Sequence, residues 1–258
     1  MIKIENTEVV GWEHAIRGMR NPKNSWDRMD SLFGSCESHL DCEGCPASED
    51  QRLCNDIGAG VGMAIGPNDH KLMMQLASGG PVHAKYRRMI AVYVDITAPL
   101  YWWKEFDTYK VGTVANSCST MHKIHDKEFE LSDFSTEHLI RNYIPTLTET
   151  ISALNSARDL YLNGGMTDNY DGTARIWEPK DKDAWWNMIQ LLPSSYNQKR
   201  TIMLNYEVLV GMYRDRKNHK LDEWHDFCDW IMELPYSEII TGPKILEKKM
   251  NLPEKDKE

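Results

Sequence analysis

The first half of the chain alternates short apolar runs with polar turns. Residues 2–10 predict a strand, and residues 12–19 predict a short helix that stops before Pro22. Residues 69–78 predict a helix that ends at Gly79 and Gly80. The clearest strand is predicted over residues 89–96, and Pro99 suits the first position of a helix to about residue 107.

The second half is dominated by helical spacing of apolar residues. Predicted helices cover residues 135–162, with an interruption at Pro145, and residues 182–192, 198–216 and 221–234. Residues 163–178 are rich in Gly, Asn and Asp and predict an exposed loop. Residues 113–120 are small and hydroxylated, and predict either a loop that lines a ligand site or a plain surface loop. No repeat or linker divides the chain, so we expect one domain over residues 1–258, with a charged tail over residues 244–258.

Charge and hydropathy exclude several classes of protein. The 258 residues carry 30 Lys and Arg against 39 Asp and Glu, which gives a net charge of −9. General nucleic-acid binding needs a clustered basic face, so we expect none. No apolar run approaches the roughly 20 residues of a membrane helix, and the amino terminus lacks a signal-peptide core. We therefore expect no membrane partner and a cytoplasmic protein, of a cell or of a virus-infected host.

Four of the six cysteines lie within 19 residues and predict a compact loop. They are Cys36, Cys42, Cys45 and Cys54, spaced as Cys-x5-Cys-x2-Cys-x8-Cys within an insertion over residues 33–57. Two thiolates separated by two residues can bind one metal ion, and two more complete a tetrahedral set. Zn²⁺ and a [4Fe-4S] cluster both accept four cysteines, and the spacing leaves both open. The remaining alternative is four unliganded thiols.

A segment in the middle of the chain resembles a known enzyme family. From His83 to Ile124 the order is a His-containing turn, a strand, Ala-Pro, an aromatic helix and a hydroxyl-rich segment. This order resembles the flavin-dependent thymidylate synthase (ThyX) family, whose signature is Arg-His-Arg-x-x-Ser-x-Asn-Glu-x-Ser-x-Arg. The register holds without a gap, but nearly every signature residue is replaced.

The resemblance assigns candidate site residues position by position. Thr108, Tyr109 and Lys110 stand at the Arg-His-Arg positions. The other residues matched to this region are His83, Lys104, Glu105, Thr113, Asn116, Ser117 and Cys118. A weaker match near the carboxyl end adds Asn205, Arg214, Arg216 and His219, with Arg214 and Arg216 competing for one family arginine. The resemblance assigns His83, Lys110, Thr113, Asn205 and His219 to FAD. It assigns Lys104, Glu105, Asn116, Ser117, Cys118, Arg214 and Arg216 to the nucleotide.

The resemblance implies a fold and an activity. It implies an α+β fold with a central mixed sheet covered by long helices, assembled as a homo-oligomer, a tetramer. The implied function is a divergent C5 methyltransferase acting on a pyrimidine deoxynucleotide such as dUMP, with FAD as cofactor and NADPH and methylenetetrahydrofolate as co-substrates. The rival interpretation is a ThyX-like protein without chemistry, which binds a nucleotide or scaffolds a partner through its metal loop.

Two features allow a functional and a structural interpretation. Cys118 replaces a family serine, and its thiolate could attack C6 of a pyrimidine, which makes Cys118 and Arg216 the candidate catalytic residues. Cys118 could equally be a small thiol that fills space. The aromatic residues from Tyr101 to Tyr109 could stack a flavin or a base, or could form part of a core.

Overall fold

The computed structural model describes residues 2–33, 63–168 and 171–242. The chain divides into two compact units: residues 1–11 with 87–230, and residues 12–86 with 231–258. The prediction of one domain over residues 1–258 stays a prediction. The four loop cysteines Cys36, Cys42, Cys45 and Cys54, the insertion beyond Phe33 and the predicted tail over residues 244–258 lie outside the described residues.

The described residues form strands and helices in the following order. The strands are β1 (Lys3–Val10), β2 (Leu32–Phe33), β3 (Met63–Ala64), β4 (Ala91–Pro99), β5 (Val114–Ser117), β6 (Gly165–Asp168), β7 (Ala174–Trp177) and β8 (Asn197–Asn205). The α-helices are α1 (Trp12–Arg20), α2 (Pro67–Ser78), α3 (Leu100–Phe106), α4 (Thr120–Lys123), α5 (Ile144–Asn163), α6 (Lys182–Leu191), α7 (Tyr206–Arg216), α8 (Asp222–Glu233) and α9 (Glu238–Thr241). Short 3₁₀ helices are Asn21–Lys23, Trp26–Arg28, Lys85–Met89, Leu131–Asp133 and Arg141–Tyr143.

The first unit is built on a four-stranded sheet with the order β1-β4-β8-β5. Every neighbouring pair is antiparallel, so the prediction of a mixed sheet is wrong in this detail. Strand β4 explains the layering, because Val92, Val94 and Ile96 are buried on one face while Tyr93 on the other face is exposed. This period of two is the pattern of a strand that covers a core on one side.

Sequence reasoning was wrong about the residues that precede α7. A continuous helix was predicted over residues 198–216, but the chain forms β8 and then α7. Apolar residues are so frequent from Ile202 to Met212 that they match a helical spacing. This concealed the strand-like alternation in which Ile202 and Leu204 are both buried. Asn205 ends the strand and caps the helix, because its side chain accepts a hydrogen bond from the Val208 amide.

Three further boundaries differ from the sequence prediction. Part of the predicted loop over residues 113–120 is β5, which gains its backbone hydrogen bonds from β8 despite its polar composition. The exposed excursion over residues 163–178 contains the hairpin of β6 and β7. The helix predicted from residue 135 begins only at Ile144, because Pro145 lacks the amide hydrogen that an interior position requires and instead occupies the first turn.

A helical layer of the first unit has its own apolar core. This core forms where α5 and α6 pack against the segment between α4 and α5. The buried residues of the core are Ile124, Phe129, Phe134, Leu147, Ile151, Leu154, Ala157 and Met188. Leu147, Ile151 and Leu154 of α5 are spaced by four and three residues and therefore lie on one face of the helix.

A buried carboxylate organises the second unit. Asp69 of α2 is fully buried, and its Oδ1 accepts a hydrogen bond from Nε of Arg20 at 2.6 Å. Its Oδ2 accepts hydrogen bonds from the Ser31 amide, the Ser31 hydroxyl and the Asp30 amide at 2.6 to 3.0 Å. Because a buried charge is tolerated only when it is paired and hydrogen-bonded, these contacts tie α1 and the segment before β2 to α2.

We predict that Asp69→Asn destabilises the protein strongly. The change leaves the Arg20 guanidinium buried without its counter-charge, which costs about 3–5 kcal/mol. Urea unfolding followed by circular dichroism measures the loss. Asp27→Asn, a matched change at an exposed aspartate of the same unit, is expected to alter stability by less than about 0.5 kcal/mol. Equal effects of the two changes would contradict the structural role of Asp69.

Candidate functional site

Helix α3 is fixed by aromatic packing against α8. Trp102 and Phe106 of α3 are buried, and the Trp102 ring lies 4.8 Å from the ring of Trp224 and 5.7 Å from that of Phe227. Tyr101 adds a polar link, because its hydroxyl donates a hydrogen bond to Glu223 of α8. Burial and the neighbouring carboxylate both raise the pKa of Tyr101, so the phenol stays protonated. The central aromatic residues of α3 are therefore core.

The turn after α3 presents polar side chains to solvent. Gly112 has φ +80°, in the left-handed region that favours glycine. The Thr113 hydroxyl donates a hydrogen bond to the carbonyl of Tyr109 and closes the turn. Lys110 and Val111, at the tip, are exposed. The turn therefore holds a cation and an apolar side chain next to each other.

This turn and the first face of α7 enclose a pocket of about 560 Å³, here called the α7 pocket. Its walls come from residues 108–112 of the turn, from Arg88, and from Asn205, Glu207, Val208, Gly211, Arg214 and Asp215. Residue 211 lies four positions after 207, and residues 214 and 215 lie three and four positions after 211, so these residues share a helix face. The pocket brings together three of the predicted residues, Lys110, Asn205 and Arg214.

The charges around the α7 pocket are only partly paired. Glu207 accepts a hydrogen bond from Arg87 at 2.8 Å, and Arg214 pairs with Asp215 at 2.8 Å. The hydrogen bond between Arg214 and Asp215 raises the pKa of the arginine and lowers the pKa of the aspartate. Lys110 and Arg88 have no ion pair with any residue that the structure describes.

A second cluster forms around Arg216. Its Nη1 lies 2.7 Å from Oε2 of Glu105, and its Nε donates a hydrogen bond to the Tyr109 hydroxyl at 2.9 Å. The guanidinium also lies over the Trp224 ring at 4.8 Å, and the His219 ring lies 4.0 Å from the same Glu105 oxygen. Burial opposes the charge, but the bonds to Tyr109 and Glu105 outweigh it, so the pKa of Arg216 lies above its ordinary value. The predicted residues Glu105, Arg216 and His219 thus lie together.

The other predicted residues lie elsewhere. Asn116 and Ser117 are exposed on β5, opposite Thr201 and Arg200 of β8, and none of the residues 116–118 lines the α7 pocket. The exposed Cys118 follows β5, and its amide donates a hydrogen bond to the Lys199 carbonyl at 2.9 Å.

Three predicted residues remain to be placed. Lys104 is exposed on α3, and Thr113 acts in the turn. His83 belongs to the second unit. Its ring lies against Gly79, where an added Cβ would come within 3.2 Å of Cδ2.

Some residues of the site were missed by sequence reasoning. Glu207 and Asp215 line the α7 pocket, but no role was predicted for either. Tyr109 was predicted to stack a ring or to form part of a core, whereas its hydroxyl holds Arg216. The signal for the first two was present, because they share a face of α7 with Gly211. The predicted helix started at residue 198, which placed Asn205 in its interior. In the structure Asn205 is the N-cap of α7, and the helix face that lines the pocket begins directly after it.

No group of three or more His, Cys, Asp or Glu side chains within residues 2–33, 63–168 and 171–242 could hold a metal ion. In the same ranges no helix combines the length and the apolar character that crossing a membrane requires. The prediction of Zn²⁺ or a [4Fe-4S] cluster concerns cysteines outside these ranges and stays a prediction.

The chain was compared with known proteins. No protein-family model matches its sequence, and no curated protein matches it either. Among solved structures, thymidylate synthase X (ThyX) from Helicobacter pylori with FAD and dUMP is 14% identical, with a TM-score of 0.53 over 93% of this chain and 96% of that chain. A second structure of flavin-dependent thymidylate synthase ThyX from Helicobacter pylori, complexed with FAD and dUMP, is 13% identical, with a TM-score of 0.54 over 92% and 95%.

These likenesses establish the fold. The protein has a ThyX-like α+β fold, as the sequence predicted, and the match extends over nearly the whole length of both chains. At identities of 13–14% the likeness concerns the fold alone, because one fold can host different chemistries. The activity therefore depends on the residues that this chain brings together at its own site.

We predict that Gly112→Ala damages the α7 pocket. An added Cβ would lie 2.9 Å from Cγ2 of Val208 and 3.1 Å from Nδ2 of Asn205, in addition to the strain of φ +80°. Gly172 is the matched control, because its φ is also +80° but its Cβ would meet nothing within 4 Å. We expect a lower Tm for Gly112→Ala than for Gly172→Ala, by about 2–4 °C for each kcal/mol of contact strain. Equal Tm values in calorimetry would contradict the close packing of the turn on α7.

Proposed function

We propose that the protein is a flavin-dependent methyltransferase that acts at C5 of a pyrimidine deoxynucleotide, with dUMP as the substrate. The observation that carries this proposal is the α7 pocket, where Lys110 from the turn meets Asn205 and Arg214 from α7. These residues come from segments about a hundred positions apart in the sequence. The ThyX-like fold supports the same assignment.

The pocket residues suit an anionic nucleotide. Lys110 and Arg88 form no ion pair within the described part of the chain, and Arg214, exposed at the same pocket, pairs with Asp215 alone among the described residues. They can therefore pair with phosphate oxygens. Val111 and Val208 add apolar surface for a flat ring.

Asn205 suits the role of orienting the base. Its Oδ1 is occupied by the Val208 amide, whereas its Nδ2 makes no hydrogen bond within the described residues. The Nδ2 group can therefore donate to a carbonyl oxygen of the pyrimidine, as a fixed polar group in a mostly preformed pocket. Capping of α7 holds this donor in place.

The residues present also fit a phosphate-bearing flavin. Lys110 and Thr113 would hold its phosphates while Arg214 holds the phosphate of the nucleotide, and His219 is a further proposed contact. His83, which belongs to the second unit, stays a predicted FAD contact. FAD, when bound, carries the hydride that NADPH supplies, and methylenetetrahydrofolate supplies the one-carbon unit. The chain's part is to bind and orient the nucleotide and to exclude water from it. The homotetramer stays part of this proposal.

Arg214 and Arg216 take different roles in the proposal. Arg214 faces the α7 pocket and is the proposed phosphate contact. Arg216 is held by Glu105 and Tyr109, and is a positioning residue that connects α7 to the end of α3. Lys104, Asn116 and Ser117 remain proposed nucleotide contacts outside the pocket.

A second candidate function is nucleotide binding without chemistry. It is favoured by the position of Cys118, because this thiol does not line the pocket that gathers Lys110, Asn205 and Arg214. The protein would then bind a nucleotide, or scaffold a partner through the cysteine loop. The two candidates differ in whether the C5–H bond of the nucleotide is broken.

The first test combines dUMP binding with a C5 assay. We expect Arg214→Ala to weaken dUMP binding in calorimetry by about ten- to a hundredfold, because a hydrogen bond to a charged group is lost. Arg141→Ala removes an exposed arginine elsewhere in the first unit and is the control. With FAD, NADPH and methylenetetrahydrofolate, the wild-type protein is expected to release tritium from [5-³H]dUMP. Binding without release would favour the second candidate, and equal affinities of the two variants would remove Arg214 from the site.

The second test concerns Cys118 as the proposed nucleophile. Cys118 does not line the α7 pocket, so a nucleophilic role requires that the pyrimidine of the bound nucleotide reaches beyond that pocket to the thiolate. In that case Cys118→Ser abolishes tritium release while leaving dUMP affinity unchanged, since a hydroxyl is a far weaker nucleophile than a thiolate. Cys228 provides an internal comparison, because burial raises its pKa to about 11 and keeps it a protonated thiol. Iodoacetamide labelling followed by peptide mapping should therefore modify Cys118 and spare Cys228. Full activity of Cys118→Ser would exclude the nucleophile.

A further inference from the structure

The second unit contains a polar cavity of its own, of about 670 Å³, here called the α1–α2 cavity. It lies between the end of α1, the two 3₁₀ turns that follow, and one face of α2. Asn68, Leu72 and Gln75 form this face, since they are spaced by four and three residues. None of its residues takes part in the function proposed above.

The cavity carries an excess of positive charge. Arg20, Lys23 and Arg28 line it, whereas Asp27 is the only carboxylate among its lining residues in the described part of the chain. Neither Lys23 nor Arg28 has an ion pair or a side-chain hydrogen bond within residues 2–33, 63–168 and 171–242. Asp27 offsets only one of these two exposed cations, so the cavity keeps a net positive charge in a chain whose net charge is −9.

Arg20 adds a buried donor to the cavity wall. Its side chain is 4% exposed, its Nε is paired with Asp69, and its Nη1 donates to the Ser25 carbonyl at 3.2 Å. Its Nη2 is buried and has no hydrogen-bond partner among the described residues. A buried donor without an acceptor is unfavourable. Arg20 is one of the residues that line the cavity, so an anion bound there lies beside this guanidinium.

We propose that the α1–α2 cavity binds the phosphate group of a small anionic ligand. Lys23 and Arg28 supply charge from the 3₁₀ turns, and Arg20 supplies a guanidinium held rigidly by Asp69. Asn24, Ser25, Asn68 and Gln75 supply amide and hydroxyl donors around them. Donors converging from several elements on a basic cavity match the several oxygens of a phosphate. The site is independent of the α7 pocket, which belongs to the first unit.

The test measures phosphate binding by the full-length protein with the α7 pocket disabled. The background carries Arg88→Ala, Lys110→Ala and Arg214→Ala, which removes the three cations of the α7 pocket, so that binding in the first unit does not contribute. In this background, Lys23→Ala with Arg28→Ala is expected to lower the affinity for inorganic phosphate by at least about tenfold in a ³¹P NMR titration. Arg17→Ala with Lys71→Ala removes the same charge from exposed positions of the same unit and is the control. Arg20 is left intact because it holds Asp69.

Two further ligands identify the source of the phosphate. Tighter binding of dTMP than of phosphate would support a nucleotide as the ligand, and equal affinities would support recognition of the phosphate alone. Thymidine, which lacks the phosphate, is expected not to bind in this background. Equal affinities of the cavity variant and its control would overturn the proposal, as would loss of all phosphate binding in the background protein.

Discussion

The packing of α3 against α8 is the constraint on which the candidate site depends. Trp102 and Phe106 are buried against Trp224 and Phe227, and aromatic contacts of this kind contribute both buried area and a preferred ring geometry. Because α3 is held in this way, the residues at its carboxyl end have a fixed position. Glu105 and Tyr109 can therefore meet Arg216, which arrives from the far end of α7. The polar cluster around Arg216 therefore depends on the aromatic packing between α3 and α8.

The two arginines of α7 have different surroundings, one suited to holding the fold together and the other to binding a ligand. Arg216 has acceptors on two sides and an aromatic ring beneath it, so most of its bonding capacity is used within the protein. Arg214, two positions earlier, is exposed and has only its neighbour Asp215. A helix turns by about 100° per residue, so two arginines two positions apart point in different directions. The sequence alone leaves them as competitors for one role, whereas the structure gives them separate surroundings.

Sequence reasoning reached the fold through its clearest strand. The alternation in β4 and Pro99 at its end predicted a strand followed by a helix, and the resemblance extended this to the ThyX-like architecture. The same reasoning failed at β8, because Ile202, Met203 and Leu204 sit next to the apolar residues of α7 and satisfy both periods. The α7 pocket was then only half predictable. Lys110, Asn205 and Arg214 came from the resemblance, whereas Glu207 and Asp215 depend on knowing that the helix starts after Asn205.

Two strand-to-helix junctions of the first unit contain no spare residue. Strand β4 ends at Pro99 and α3 begins at Leu100, and β8 ends at Asn205 and α7 begins at Tyr206. One residue added at either junction would rotate the following helix by about 100° and shift it by about 1.5 Å. At the first junction this rotation would move Trp102 out of its aromatic packing and Glu105 away from Arg216 together. A change in length at either junction is therefore more damaging than a conservative substitution beside it, because the packing of α3 and the direction of α7 depend on the number of residues.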